Sequence, residues 1–181
     1  ARIEVTLEEA YRGAKRRIQL SVPEMDAQGR VVERTRNLDV TIPAGIRDGQ
    51  QIRLGGQGGP GMGGGQAGDL YLEVHIRPHK HFQLDGKDVY LTLPITPWEA
   101  ALGDKVRVPT LGGTVSLNIP AGAQSGQKLR LKGRGLPGSH PGDQYVVLEI
   151  RTPKPETQEQ TELYREMARN MAFNPRADLG V

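Results

Sequence analysis

The sequence predicts a mostly β protein built from two copies of one unit and followed by a single helix. Three observations predict it. First, Ile42-Pro43-Ala44-Gly45, Gly49-Gln50, Arg53-Leu54, Gly56, Gly58 and Gly68-Asp69 return in the same order as Ile119-Pro120-Ala121-Gly122, Gly126-Gln127, Arg130-Leu131, Gly133, Gly135 and Gly142-Asp143. The offset is 77 residues from Ile42 to Ile119 and 74 from Gly68 to Gly142, because only the glycine loop between them shrinks. Upstream, Thr6 to Ala10 with Gly13 parallels Thr96 to Ala100 with Gly103. Second, apolar and polar residues alternate through most segments, the period of strands with one buried face. Third, the apolar spacing turns helical after Pro153 and Pro155. Two copies are too few for a solenoid, so each is expected to carry its own small core.

The repeat divides the 181 residues into a first β domain at 1–78, a second at 79–152 and a terminal segment at 153–181. With no cysteine, a disulfide framework and a cysteine-ligated zinc site are both excluded, which fits a reducing cytoplasmic compartment. No stretch approaches the roughly 18 to 20 apolar residues of a membrane-spanning helix, and no signal peptide opens the chain. The opening alanine is read as the start of a fragment. The formal charge is +3 with a pI near 9.3, which permits weak attraction to polyanions without requiring it.

In order, Ile3, Val5 and Leu7 alternate with Arg2, Glu4 and Thr6 as a strand that runs into a helix start. Thr6 with Glu9 is a capping box, and Gly13 is expected to close that turn as a left-handed cap. Arg16, Ile18 and Leu20 share one face of a second strand, Pro23 to Gly29 reads as a turn, and Leu38, Val40 and Ile42 mark a third strand. A loop from Pro43 to Gly49 leads to a short strand at Gln51 to Leu54. The glycines crowded between Gly55 and Gly68 predict a mobile loop, because so little apolar surface cannot offset its ordering entropy. Leu70, Leu72, Val74 and Ile76 close the copy, and Arg77-Pro78-His79 is the expected joint.

The second copy reads the same way. Val89, Leu91, Leu93 and Ile95 alternate, Thr96 with Glu99 is a capping box carrying Pro97 at the first helical position, and strands follow at 105–108, 114–119, 128–131 and 145–151. It lacks 13 residues that the first copy carries between its second and third strands. Beyond it, Thr157 with Gln160 is a third capping box. Leu163, Met167 and Met171 fall on one helical face with Tyr164 beside them and Phe173 beyond, until Asn174-Pro175 ends the helix.

No stretch carries catalytic chemistry. The spacing Gly-x-Gly-x-x-Gly occurs at Gly56 and at Gly133, but each precedes a loop and a strand instead of the helix that a dinucleotide site needs. His79 and His81 are two ligands without a third, and are read as surface residues. Ser139, His140 and Asp143 lie in a turn, without the strand-to-helix elbow of a nucleophile. An enzyme is therefore not expected, nor a metal or cofactor. Lys128, Arg130, Lys132 and Arg134 alternate with apolar residues as a basic row; this reads as a solvated or guarded edge first and as a phosphate-binding row for duplex DNA second.

Ile42 to Gly58, Asp85-Gly86, Leu93-Pro94, Trp98 to Gly103, Gly133-Arg134-Gly135 and Gly142-Asp143 together resemble the C-terminal region of DnaJ-family J-domain co-chaperones. The resemblance covers essentially the whole chain and is strongest to a zinc-less, nucleoid-associated branch. It implies two similar β-sandwich domains in series and a C-terminal dimerisation segment, giving a homodimer through Leu163, Tyr164, Met167, Met171 and Phe173. It further implies that unfolded polypeptide binds a groove on the first domain, at Ile3, Val5, Arg16, Ile18, Leu20 and Leu72, for transfer to a DnaK-type chaperone through a J-domain that this chain lacks. The expected mechanism is strand addition along the first domain's sheet edge, with an apolar client side chain entering the pocket. Duplex DNA at the basic row is the rival reading, and a module that merely spaces two J-domains is the third.

Overall fold

The computed structural model describes residues 1–59 and 68–181. Much of the glycine loop expected to be mobile lies at 60–67, outside the described residues. Residues 1–150 form one compact unit and residues 151–181 another.

The first copy contains β1 (Arg2–Val5), α1 (Leu7–Arg12), β2 (Ala14–Met25), β3 (Val31–Ile42), β4 (Gln51–Leu54) and β5 (Leu70–Ile76). β5 is the middle strand of a three-stranded sheet in the order β1-β5-β4; β1 runs parallel to it and β4 antiparallel. Among the described residues β2 and β3 pair only with each other, as an antiparallel ribbon. The second copy repeats this with β7 (Asp88–Ile95), α2 (Pro97–Leu102), β8 (Asp104–Thr110), β9 (Gly113–Ile119), β10 (Lys128–Leu131) and β11 (Gln144–Ile150). β7 is parallel to β11 and β8 pairs with β9, while an added strand, β6 (Phe82–Asp85), extends the sheet to β10-β11-β7-β6.

The alternation seen in the sequence decides which face is buried. Ile3 and Val5 of β1, Leu72 and Val74 of β5, and Val40 and Ile42 of β3 turn inward, as do Val89, Leu91, Leu93 and Ile95 of β7 with Val146 and Leu148 of β11. Each such side chain contributes about 1.5–3 kcal/mol when fully buried. The ribbons close over the sheets, with Ile18, Leu20, Val115 and Leu117 packed against the buried cluster. The molecule is thus mostly β, two sheet-and-ribbon sandwiches with single-turn helices and one longer terminal helix.

Both capping boxes form: the Thr6 and Thr96 hydroxyls accept from the Glu9 and Glu99 N–H at 3.1 Å, and those glutamates accept from the threonine N–H groups at 2.9 and 2.8 Å. The two Gly-Asp closures are equally alike. Asp69 accepts from Gly56 N–H at 3.0 Å and Asp143 from Gly133 N–H at 2.8 Å. The missing 13 residues also have a place, since each ribbon strand in the first copy is five residues longer than its counterpart and its turn three longer.

Several expectations are corrected. Gly13 has the positive φ of 76° that favours glycine, but its ψ of 160° lies far from the left-handed helical value, so it is not a left-handed cap. The expected turn begins too early: β2 continues through Pro23, which pairs with Glu33, to Met25. A two-stranded ribbon tolerates this because each strand is an edge, so the absent N–H need leave no ladder bond unmade. β6 follows the expected joint at Arg77-Pro78-His79 and was not among the expected strands. The third capping box forms only by half, because Gln160 accepts from Glu156 N–H at 2.7 Å instead of from Thr157. The cores are not separate either, for the buried residues of both copies form one contiguous cluster. Where the copies meet, a Cβ on Gly45 would lie 2.1 Å from the Pro137 carbonyl oxygen, and its φ of 84° already favours glycine.

Candidate functional site

Of the expected groove residues, Ile3 and Val5 lie on β1, Leu72 on β5, and Arg16, Ile18 and Leu20 on the ribbon strand β2. Glu73 N–H donates to the Ala1 carbonyl and Arg77 N–H to that of Val5, both at 2.9 Å, so the odd-numbered residues of β1 address β5. By alternation the backbone groups of Arg2 and Glu4 point the other way. No strand among the described residues pairs along that outer edge. Beside it lies the half-buried face of β2, carrying Arg16, Ile18 and Leu20. Arg16 reaches across, its Nη1 donating to the Glu4 carbonyl while its Nε stands 3.8 Å from the Glu9 carboxylate.

The six residues do not share one surface. Val5 and Leu72 are fully buried and Ile3 is 5% exposed, so these three form the floor beneath the edge. Arg16, Ile18 and Leu20 retain accessible surface.

The basic row is shorter than its sequence spacing suggests. Lys128 and Arg130 lie on the exposed face of β10, whereas Lys132 and Arg134 follow the end of the strand, exposed in the turn. Lys128 Nζ stands 4.9 Å from the Tyr145 ring centroid and 5.6 Å from that of Tyr90, and the two rings stack at 5.1 Å. Arg130 lies 3.8 Å from Asp143. Two of the four cations are therefore engaged within the chain, in cation–π or ion-pair contacts.

In the terminal unit, α3 (Gln158–Asn170) buries none of its residues. Leu163 and Met167 are exposed on it one turn apart, Met171 is its exposed C-cap, and Phe173 lies beyond, 81% exposed. Tyr164 is engaged differently, its hydroxyl donating to the Pro153 carbonyl.

With this geometry the sequence can be set beside known proteins. Residues 1–153 match the family model described as the DnaJ C terminal domain. The chain belongs to the DnaJ C-terminal domain family. It is 58% identical over 180 residues to the curved DNA-binding protein of Coxiella burnetii, covering 99% of this chain and 58% of that protein. It is 46% identical over 181 residues to the curved DNA-binding protein of Escherichia fergusonii, covering 98% and 59% respectively. With the chaperone protein DnaJ of Parageobacillus thermoglucosidasius it shares 51% identity over 138 residues, 75% of this chain and 36% of that protein. The chain thus spans less than two thirds of these relatives.

This DnaJ C-terminal domain also contains a site that sequence reasoning placed wrongly. His79 is not a solvated surface residue but a clip at the joint. Its Nδ1 accepts from His81 N–H at 2.9 Å and Phe82 N–H at 3.2 Å, so Nε2 must carry the proton that it donates to Glu8 at 2.7 Å. A hydrogen bond from its own backbone N–H, then the one from His79, hold the Glu8 carboxyl below the usual range. A cleft of about 630 Å³ opens there, lined by Leu7, Arg47, Asp48, His79, Phe82 and Asp85 among others. The signal for this joint was present: Asp85-Gly86 between Phe82, Leu84 and Val89, Leu91 is the pattern of a tight hairpin. The Ser139-His140-Asp143 grouping assembles no relay, because Asp143 instead serves Gly133 and Arg130.

Proposed function

We propose that this chain holds unfolded, extended polypeptide on its first copy, as the client-binding part of a co-chaperone that delivers to a DnaK-type chaperone. The reading rests on one observation: the outward-facing backbone of Arg2 and Glu4 lies beside a half-buried apolar ribbon face, with no strand among the described residues on that edge. A client strand adding there makes main-chain hydrogen bonds whatever its sequence, while Ile18 and Leu20 receive an apolar side chain. Ile3, Val5 and Leu72 act as the floor that keeps the edge straight. The exposed face of α3 with Met171 and Phe173 joins a second copy, which turns two weak sites into one avid clamp.

The test is fluorescence anisotropy of a labelled, extended apolar peptide titrated with the chain. Saturable binding is expected, weakened by about tenfold or more in a folded Ile18→Ser variant, since a buried apolar contact is worth roughly 1.5–3 kcal/mol. The second reading, duplex DNA at Lys128, Arg130, Lys132 and Arg134, draws on the names of two relatives and on the exposure of those cations. Binding of duplex that falls steeply with salt, with no peptide binding under the same conditions, would favour it.

A further inference from the structure

The edge assigned above to the client is already in part occupied by the chain itself. Among the outward groups of β1, the Glu4 carbonyl accepts from Arg16 Nη1, and Arg16 is held from behind by Glu9, the same carboxylate that completes the cap of α1. We propose that Arg16 is a displaceable plug on the client edge: an incoming strand takes the Glu4 carbonyl only after the guanidinium has left it. The inference rests on the client-groove reading and adds a competitor to it.

The second copy sharpens the point. Aligned through Thr6 and Thr96, Glu4 corresponds to Pro94 and Arg16 to Val106. Val89 N–H donates to the Asp143 carbonyl, so odd-numbered residues of β7 address β11 and Pro94 faces the outer edge. That edge is already paired with β6 over Asp88–Leu91, and beyond it Pro94 has no N–H to offer an added strand, which leaves nothing for an arginine to do. Glu4 keeps its N–H, and among the described residues it is the Arg16 side chain that covers the neighbouring carbonyl. One copy's edge is closed by β6 and a proline, the other's by a side-chain contact that can be exchanged.

The test compares wild type with Arg16→Met, which keeps a long apolar stem and loses the guanidinium, using the labelled apolar peptide and a version N-methylated at alternate residues. With the competing hydrogen bond gone, Arg16→Met is expected to bind the plain peptide roughly three- to tenfold tighter. The N-methylated peptide should bind neither protein. Affinity that is unchanged or weaker in Arg16→Met, with N-methylation still abolishing binding, would overturn the plug and leave the groove standing. Equal binding of both peptides, or no binding by either protein, would remove the groove and the plug with it. Thermal unfolding of both proteins confirms that the comparison is between folded chains.

Discussion

Asp69 and Asp143 show how a repeated pair of residues becomes a repeated piece of geometry. Each carboxylate accepts an N–H from the turn that follows the short strand, Gly56 in one copy and Gly133 in the other, and Arg53 adds a second bond to Asp69 at 2.7 Å. The Gly56 N–H first, and the Arg53 charge after it, hold the Asp69 carboxyl below its ordinary value. A carboxyl lowered in the folded state stabilises the fold above its unfolded value and loses that contribution as pH falls through the folded one. Asp69→Asn should therefore unfold at a lower temperature than wild type near about pH 7, and the gap should close toward about pH 2; a calorimetric series across that interval checks it. The Gly-Asp recurrence was legible in the sequence as a landmark. That its carboxylate ties back to the preceding turn was not, because the contact spans a loop of variable length.

Among the elements, those with a local cause were the legible ones. Thr6 with Glu9 and Thr96 with Glu99 need only residues three apart, and both boxes form. Thr6→Ala and Thr96→Ala should each cost about 1 kcal/mol, read as a shift of the urea midpoint with unchanged slope. The Thr157 box fails by one bond because Gln160 can reach either of two neighbouring N–H groups, and spacing alone does not choose between them. Pro23 misled for the opposite reason. Proline usually punctuates a strand, but a free-standing ribbon has no interior strand to interrupt. The extra length of that ribbon, by contrast, was written in the change of offset between the copies.

At the scale of the whole molecule, the sequence carried the two copies but not their pairing. Periodicity gives each strand its buried face and says nothing of its neighbour, so the parallel pairs β1 with β5 and β7 with β11, and the continuous core, had no local signal. The groove was half legible: the faces of β1, β2 and β5 were read correctly as apolar, whereas burial separates Val5 and Leu72 from the surface that Ile18 and Leu20 keep. The terminal unit leaves Leu163, Met167, Met171 and Phe173 in water. Deleting residues 154–181 is expected to convert a dimer into a monomer, with peptide binding weakened through lost avidity; a truncated chain that sediments as a dimer would contradict it. The parallel closure also sets a timetable. Ile3 pairs with Val74, so β1, once it has left the ribosome, must wait for a strand made some 70 residues later. At roughly 5–20 residues per second that is about 4 to 14 seconds with Ile3 and Val5 uncovered. During its own synthesis, the proposed holder of unfolded chains exposes the kind of segment that such holders bind.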